Sequence, residues 1–197
     1  MRAALLLLAL SAGNGRPLFY WGSRPAVIEA ATPAPDTPNA RVTEVHAARD
    51  AGELVIRFSF DRQVKDALRL ADGAPVSGRL YAVLDIDTDD DRATGFDSGP
   101  MDLRTGSERR LELSTRYLGE DADEKRQASV DVTATLYSIA KDGRRRLLWQ
   151  RDESSEPLRI SSHGDVVELR LPGDRVALGA GARLILSDGE RAWDGRL

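Results

Sequence analysis

The sequence predicts an all-β fold, an antiparallel β-sandwich of jelly-roll or immunoglobulin-like type with about eight strands. Three observations predict it. Beyond residue 40 the apolar residues recur with period two, as in Leu54, Ile56, Phe58 and Phe60, and such alternation marks strands with one buried face. Glycine-bearing turns separate these runs at Asp50-Ala51-Gly52, Lys141-Asp142-Gly143 and His163-Gly164-Asp165. The composition, 41% hydrophobic and 30% charged with no cysteine, supplies a core but no disulfide. Packing must therefore hold the sheets together.

The chain opens on a different pattern. Arg2, the unbroken Ala/Leu run Ala3–Leu10 and the small residues around Ala12 predict a signal peptide over residues 1–12. That run is far below the roughly 20 residues needed to span a bilayer, so an exported protein, periplasmic or extracellular, with no membrane span is expected. Without cysteine no lipid anchor is expected. Residues 13–40 read as a Pro-rich linker, with Pro17, Pro25, Pro33, Pro35 and Pro38 among the nine prolines. Within it Leu18-Phe19-Tyr20-Trp21 is an apolar patch that either docks on a partner or folds back. The sandwich domain is expected over residues 41–197.

Its strands follow in order. Val42–Ala47 and Leu54–Phe60 form a hairpin, and Leu80–Ile86 a single strand. Ser129–Leu136 carries Val130, Val132, Ala134 and Leu136 inward, and Leu136–Ile139 pairs with Arg145–Gln150. Leu158–Ser161 pairs with Val166–Leu171, and Arg183–Ser187 comes last. One helix is expected over Arg62–Leu70, where Val64 and Leu68 share a face.

Composition also excludes function classes. A formal net charge of −4 gives no general attraction to nucleic acid or anionic lipid. Zero cysteines rule out thiolate catalysis and Cys-ligated metals, and two histidines make a multi-His site unexpected.

One segment breaks the pattern. The strand ending at Ile86 runs into five aspartates within seven residues, Asp85, Asp87, Asp89, Asp90 and Asp91. Such crowding costs repulsion unless the carboxylates are solvated or share a cation. Alternating carboxylates in a loop suit Ca²⁺, which takes six to eight oxygens. It is not an EF-hand: counted from Asp85, position six is Asp90 and position twelve Phe96; counted from Asp87 they are Arg92 and Ser98. The other reading is a solvated turn whose aspartates cap backbone N–H groups. Thr94-Gly95 suits a closing turn in either case.

The string LYAVLDIDTDDDRATGFDSG, followed by TGSERRLEL, resembles the D-x-D…TG signature of secreted β-sandwiches of the DOMON-like and carbohydrate-binding module family 9-like group. The hairpin VTEVHAARDAGELVIRFSF extends the likeness to about half of the domain. Carried over, the resemblance implies that Asp85, Asp87, Asp89 and Glu108 form a calcium or fold-supporting cluster. Asp91 and Asp97 are weaker members. Arg109 stands where the family places an aromatic ring. Carbohydrate is the ligand class that the resemblance implies.

Other constellations weigh less. Some DOMON-like domains hold haem through Met and His; here Met101, His46 and His163 are the available residues, and lone residues of these types more often pack or face solvent, so haem is not expected. Sugar stacking needs exposed rings, and Phe96, Tyr117, Trp149 and Trp193 are expected in the core. Arg144-Arg145-Arg146 reads as a solubilising edge. No G-x-S-x-G, H-E-x-x-H, P-loop or G-x-G-x-x-G occurs, and no enzyme is expected. The chain reads as an exported non-catalytic binding module, with an envelope or extracellular protein-pairing domain as the alternative.

Overall fold

Period-two patterning builds two antiparallel sheets in the computed structural model, which describes residues 26–29, 40–64, 81–97, 105–118, 129–187 and 192–197. In chain order the elements are β1 (Ala26–Glu29), β2 (Val42–Asp50), β3 (Glu53–Phe60), β4 (Tyr81–Asp87), β5 (Arg109–Leu118), β6 (Ser129–Ile139), β7 (Arg145–Asp152), β8 (Ile160–His163), β9 (Val166–Pro172), the single helical turn α1 (Gly173–Val176), β10 (Arg183–Ser187) and β11 (Ala192–Arg196). One sheet runs β1-β2-β3-β9-β8, the other β11-β10-β4-β5-β6-β7. The all-β sandwich is what the alternation predicts. Among the described residues there are eleven strands rather than about eight.

The extra strands are short or lie late in the chain. β1 falls inside the segment expected as linker. It pairs with β2, and Ile28 reaches the core, because Ala26-Val27-Ile28 supplies a β-branched run between the flanking prolines. β6 is one continuous strand where two were expected. The signal segment and the Leu18–Trp21 patch lie outside the described residues, as does most of the expected Arg62–Leu70 helix.

The inward faces match the alternation. Leu54, Ile56, Phe58 and Phe60 of β3 meet Leu84, Ile86, Leu111, Leu113 and Leu136 of the facing sheet, all essentially inaccessible. Burying one such side chain stabilises by roughly 1.5–3 kcal/mol. The β2–β3 turn takes positive φ at both central residues, Ala51 and Gly52, the handedness that matches strand twist in a two-residue hairpin.

Beside that turn lies a small charge network. Arg170 Nη1 donates to Glu53 Oε2 at 2.8 Å and Nη2 to Asp50 Oδ2 at 2.9 Å, and Arg159 Nη1 donates to Glu53 Oε1. Burial pushes the Glu53 carboxyl up, but the two guanidinium groups outweigh it and hold it below its ordinary value of 4.5. A depressed carboxyl contributes stability that is present above the ordinary value and is lost as pH falls through the folded one. Glu53→Gln is therefore expected to flatten the loss of stability below about pH 4.5, measured as urea midpoints across acid pH. An unchanged acid limb would contradict this role.

Candidate metal centre in the acidic loop

On β4 the even-numbered side chains Ala82, Leu84 and Ile86 face the core, which leaves Asp85 and Asp87 on the opposite face. Both are nevertheless buried, at 2% and 0% exposure. Neighbouring strands and the loop folded over that face cover them.

The D-x-D-x-D spacing has a local cause. Asp87 Oδ1 accepts from the backbone N–H of Asp89 at 3.3 Å and of Asp90 at 2.7 Å. Asp89 Oδ1 accepts from Asp91 N–H at 3.0 Å, and Asp91 Oδ1 from Ala93 N–H at 2.9 Å. Each aspartate thus binds the backbone two residues on, and the loop is a relay of Asx turns. Its far end closes through the Phe96–Ser107 backbone pair, at 2.8 and 2.9 Å, and through Thr105 N–H to Asp97 Oδ1 at 3.2 Å.

Glu108, just before β5, reaches back across the loop. Its Oε2 accepts from Thr88 N–H at 2.8 Å and Thr88 Oγ1 at 3.0 Å, and its Oε1 from Thr94 Oγ1 at 3.0 Å. Two glycines make this approach possible. Gly95 and Gly106 both have positive φ. A Cβ on Gly95 would lie 2.5 Å from Gly106 backbone atoms and 2.6 Å from Glu108 Oε1, and one on Gly106 would lie 2.7 Å from Arg92 Cα.

Three carboxylates converge as a result. Asp87, Asp89 and Glu108 each offer one oxygen, all within 4.8 Å of one another. The other three expected ligands do not join them. Asp85 is taken by Arg110, which faces it across the strand pair and donates through Nε at 2.7 Å and Nη2 at 2.8 Å. The Arg110 guanidinium in turn lies 5.9 Å over the Phe96 ring. Asp91 is exposed and serves its turn, and Asp97 caps the loop's far end.

Among the described residues one cation bonds the triad directly. Arg183 stands opposite Asp87 in the β4–β10 register and is 1% exposed. Its Nη2 donates to Asp87 Oδ2 at 3.1 Å and to Thr105 O at 2.8 Å, and its Nη1 lies 3.5 Å from Asp194. Burial pushes the Asp87 carboxyl up, with the Glu108 charge adding to it; the Asp90 N–H and Arg183 pull the other way and do not prevail. Arg183 Nε and Ser107 Oγ are buried with no hydrogen-bond partner among the described residues.

The donor supply at the triad is short. Thr94 Oγ1 lies 3.2 Å from each Asp89 oxygen, 2.9 Å from Asp91 O and 3.0 Å from Glu108 Oε1. One hydroxyl proton cannot serve four acceptors. Two like charges 4.8 Å apart repel by about 3–4 kcal/mol at an effective dielectric near 20. Three such pairs face a single Arg183. The oxygens left over are hard donors, which fit Ca²⁺ or Mg²⁺ and not a soft metal.

Elsewhere, His46 Nε2 lies 2.8 Å from Glu44, and His163 Nε2 lies 2.8 Å from Ser161 Oγ. The latter is a nucleophile–base distance. Among the described residues no acid bonds the other nitrogen of His163, and the ring is exposed at a hairpin turn, so nothing there fixes its tautomer for catalysis. Met101 and the Tyr117 side chain lie outside the described residues. Trp149 and Trp193 pack against the core, and Phe96 is half-buried under Arg110.

Spacing points to Asp87 and Asp89 and the family resemblance to Glu108, among six candidates; neither names Arg183, Thr88 or Thr94 as partners. Thr88 and Thr94 lie inside the acidic string, among the aspartates they serve. Arg183 is separated from Asp87 by 96 positions, and only the strand register joins them. The sandwich with a folded-over acidic loop is the class the fold and site define. No protein-family model, curated protein or solved structure matches the chain.

Proposed function

We propose that the chain is an exported, non-catalytic β-sandwich binding module, directed at carbohydrate, whose acidic loop takes one hard divalent cation, with Ca²⁺ as the best fit. The observation that carries the cation is the convergence of Asp87, Asp89 and Glu108 within 4.8 Å of one another. Asp87, Asp89 and Glu108 would each give an oxygen, and the cation would cross-link β4, its loop and the start of β5. The leader-like residues 1–12 support export. The likeness of the acidic string to DOMON-like and family 9-like modules supports carbohydrate as the ligand class.

The chain's own residues divide the work. Arg183 offsets part of the Asp87 charge, Thr88 and Arg110 position Glu108 and Asp85, and the Asx turns hold the loop's path. Calorimetric titration of the chelator-treated protein is expected to give one Ca²⁺ site with weaker Mg²⁺ binding, because Mg²⁺ demands a tighter octahedral shell. No heat with either ion would remove the cation from the account. An array of neutral plant, microbial and host glycans tests the ligand class.

A second reading has its own observation. Among the described residues β7 is an edge strand, and it presents Leu147 at 55% exposure, an exposed apolar side chain that another protein could cover. A blank glycan array with retained cation binding favours that alternative.

A further inference from the structure

Away from the acidic loop, the outer face of the six-stranded sheet carries a polar groove of about 440 Å³ lined by Ser114, Thr133, Thr135, Gln150, Arg151, Asp152 and Ser155. Its floor follows from strand register. Ser114, Thr133 and Asp152 stand side by side across β5, β6 and β7, and Thr135 stands beside Gln150 in the next row. These positions have the opposite parity to Leu113, Ala134 and Leu136, which fill the core. Rows lie about 7 Å apart along a strand and neighbours about 5 Å apart across strands, so the floor is a grid of hydrogen-bonding groups.

Thr133 and Thr135 are 8% and 9% exposed, yet neither hydroxyl is a buried atom left without a partner; both line the groove. A threonine hydroxyl that opens onto the groove can donate one hydrogen bond to a ligand and accept others.

We infer that this groove is the saccharide site of the module, binding a neutral oligosaccharide through hydroxyl and amide contacts on the sheet face. The inference rests on the carbohydrate reading above and places its ligand. The chemistry selects the class. Hydroxyls and an amide both donate and accept, as a polyol requires. One cation and one anion, Arg151 and Asp152, leave the lining without net charge, which disfavours phosphate or a polyanion. No large apolar side chain lines the groove, which disfavours a lipid or an apolar peptide anchor. Asp152 is prepared as an acceptor: Ser154 and Ser155 donate to its Oδ1 at 2.8 and 2.7 Å.

The test is a two-dimensional NMR titration of the ¹⁵N-labelled full chain with cellopentaose, xylopentaose and maltopentaose. The expected result is shift changes clustered on the amides of Ser114, Thr133, Thr135 and Gln150 with at least one of these sugars. Thr135→Val, which keeps shape and removes the hydroxyl, should weaken that sugar by about tenfold, the equivalent of one lost hydrogen bond. Gln150→Ala, at an exposed position, gives a second loss without touching the core. Shifts on another face, or variants that bind as tightly as wild type, would overturn the groove while leaving the carbohydrate reading intact. No shift with any of the three sugars, together with a blank glycan array, would overturn both.

Discussion

Arg183→Met should destabilise the fold by about 3–5 kcal/mol, the cost of leaving a buried charge without its partner. Arg183 is 1% exposed and its target Asp87 is 0% exposed, so water cannot replace the guanidinium at either end. The loss has two parts: Asp87 keeps a charge in a site that already pushes its carboxyl up, and Thr105 O loses its buried donor. Methionine fills much of the arginine's volume, which limits the cavity contribution. The double variant Arg183→Met with Asp87→Asn is expected to recover a large share of the loss, because no unpaired charge remains. Urea unfolding of the four proteins in a double-mutant cycle measures both numbers. A single-variant cost below about 1 kcal/mol, the range of surface ion pairs, would show that Arg183 does not balance the site.

Gly95→Ala is the second large effect, expected at about 2–4 kcal/mol. The residue sits at φ 64, where a side chain is disfavoured by roughly 1 kcal/mol. Its Cβ would also strike backbone atoms of Gly106 at 2.5 Å and Glu108 Oε1 at 2.6 Å. Backbone cannot swing aside as a long side chain can, so the two legs of the loop must separate. Glu108 then moves from Thr94 and from the triad. The variant should lose Ca²⁺-dependent stabilisation together with the intrinsic loss, read as the difference between melting points with Ca²⁺ and with chelator. Gly52→Ala is the matched control: it also has positive φ, at 83, but nothing lies within 4 Å of its Cβ. That variant should pay the backbone cost alone and keep its cation response.

Much of this was legible in the sequence, and the legible part is local. Alternation at Leu54–Phe60 and Val166–Leu171 names the buried faces because a side chain's face depends only on parity along its own strand. The Asp50–Gly52 turn is legible from Gly52 between two alternating runs, although Ala51 also takes positive φ, which its identity does not announce. The acidic string announced crowded carboxylates, and half of the proposed ligands converge. What the string alone leaves open is which carboxylates face each other. Asp85 looks equivalent to Asp87 by spacing, yet Arg110 lies opposite one and Arg183 opposite the other. That difference is set by the register of β4 against β5 and β10, strands that are distant in the chain. β1 was hidden for a related reason: four residues between prolines show no period, and only the edge of β2 recruits them.

The Arg183–Asp87 pair decides which variant tests the site. Asp87→Ala would unpair Arg183 and destabilise the fold with or without a cation. Asp89 is exposed, belongs to the triad and pairs with no cation among the described residues, so Asp89→Asn removes a ligand charge while keeping the Asx turn to Asp91.

The decisive measurement is the melting temperature of the full chain with excess Ca²⁺ and with EDTA, for wild type and Asp89→Asn. A cation at 100-fold excess over its dissociation constant stabilises the native state by about 2.7 kcal/mol. For a chain of this size that is roughly 5–10 °C. The account predicts that upward shift for wild type and a shift reduced to a small fraction of it for Asp89→Asn. Equal melting points for wild type in Ca²⁺ and EDTA would contradict it, and would leave the acidic loop as a relay of hydrogen-bonded turns.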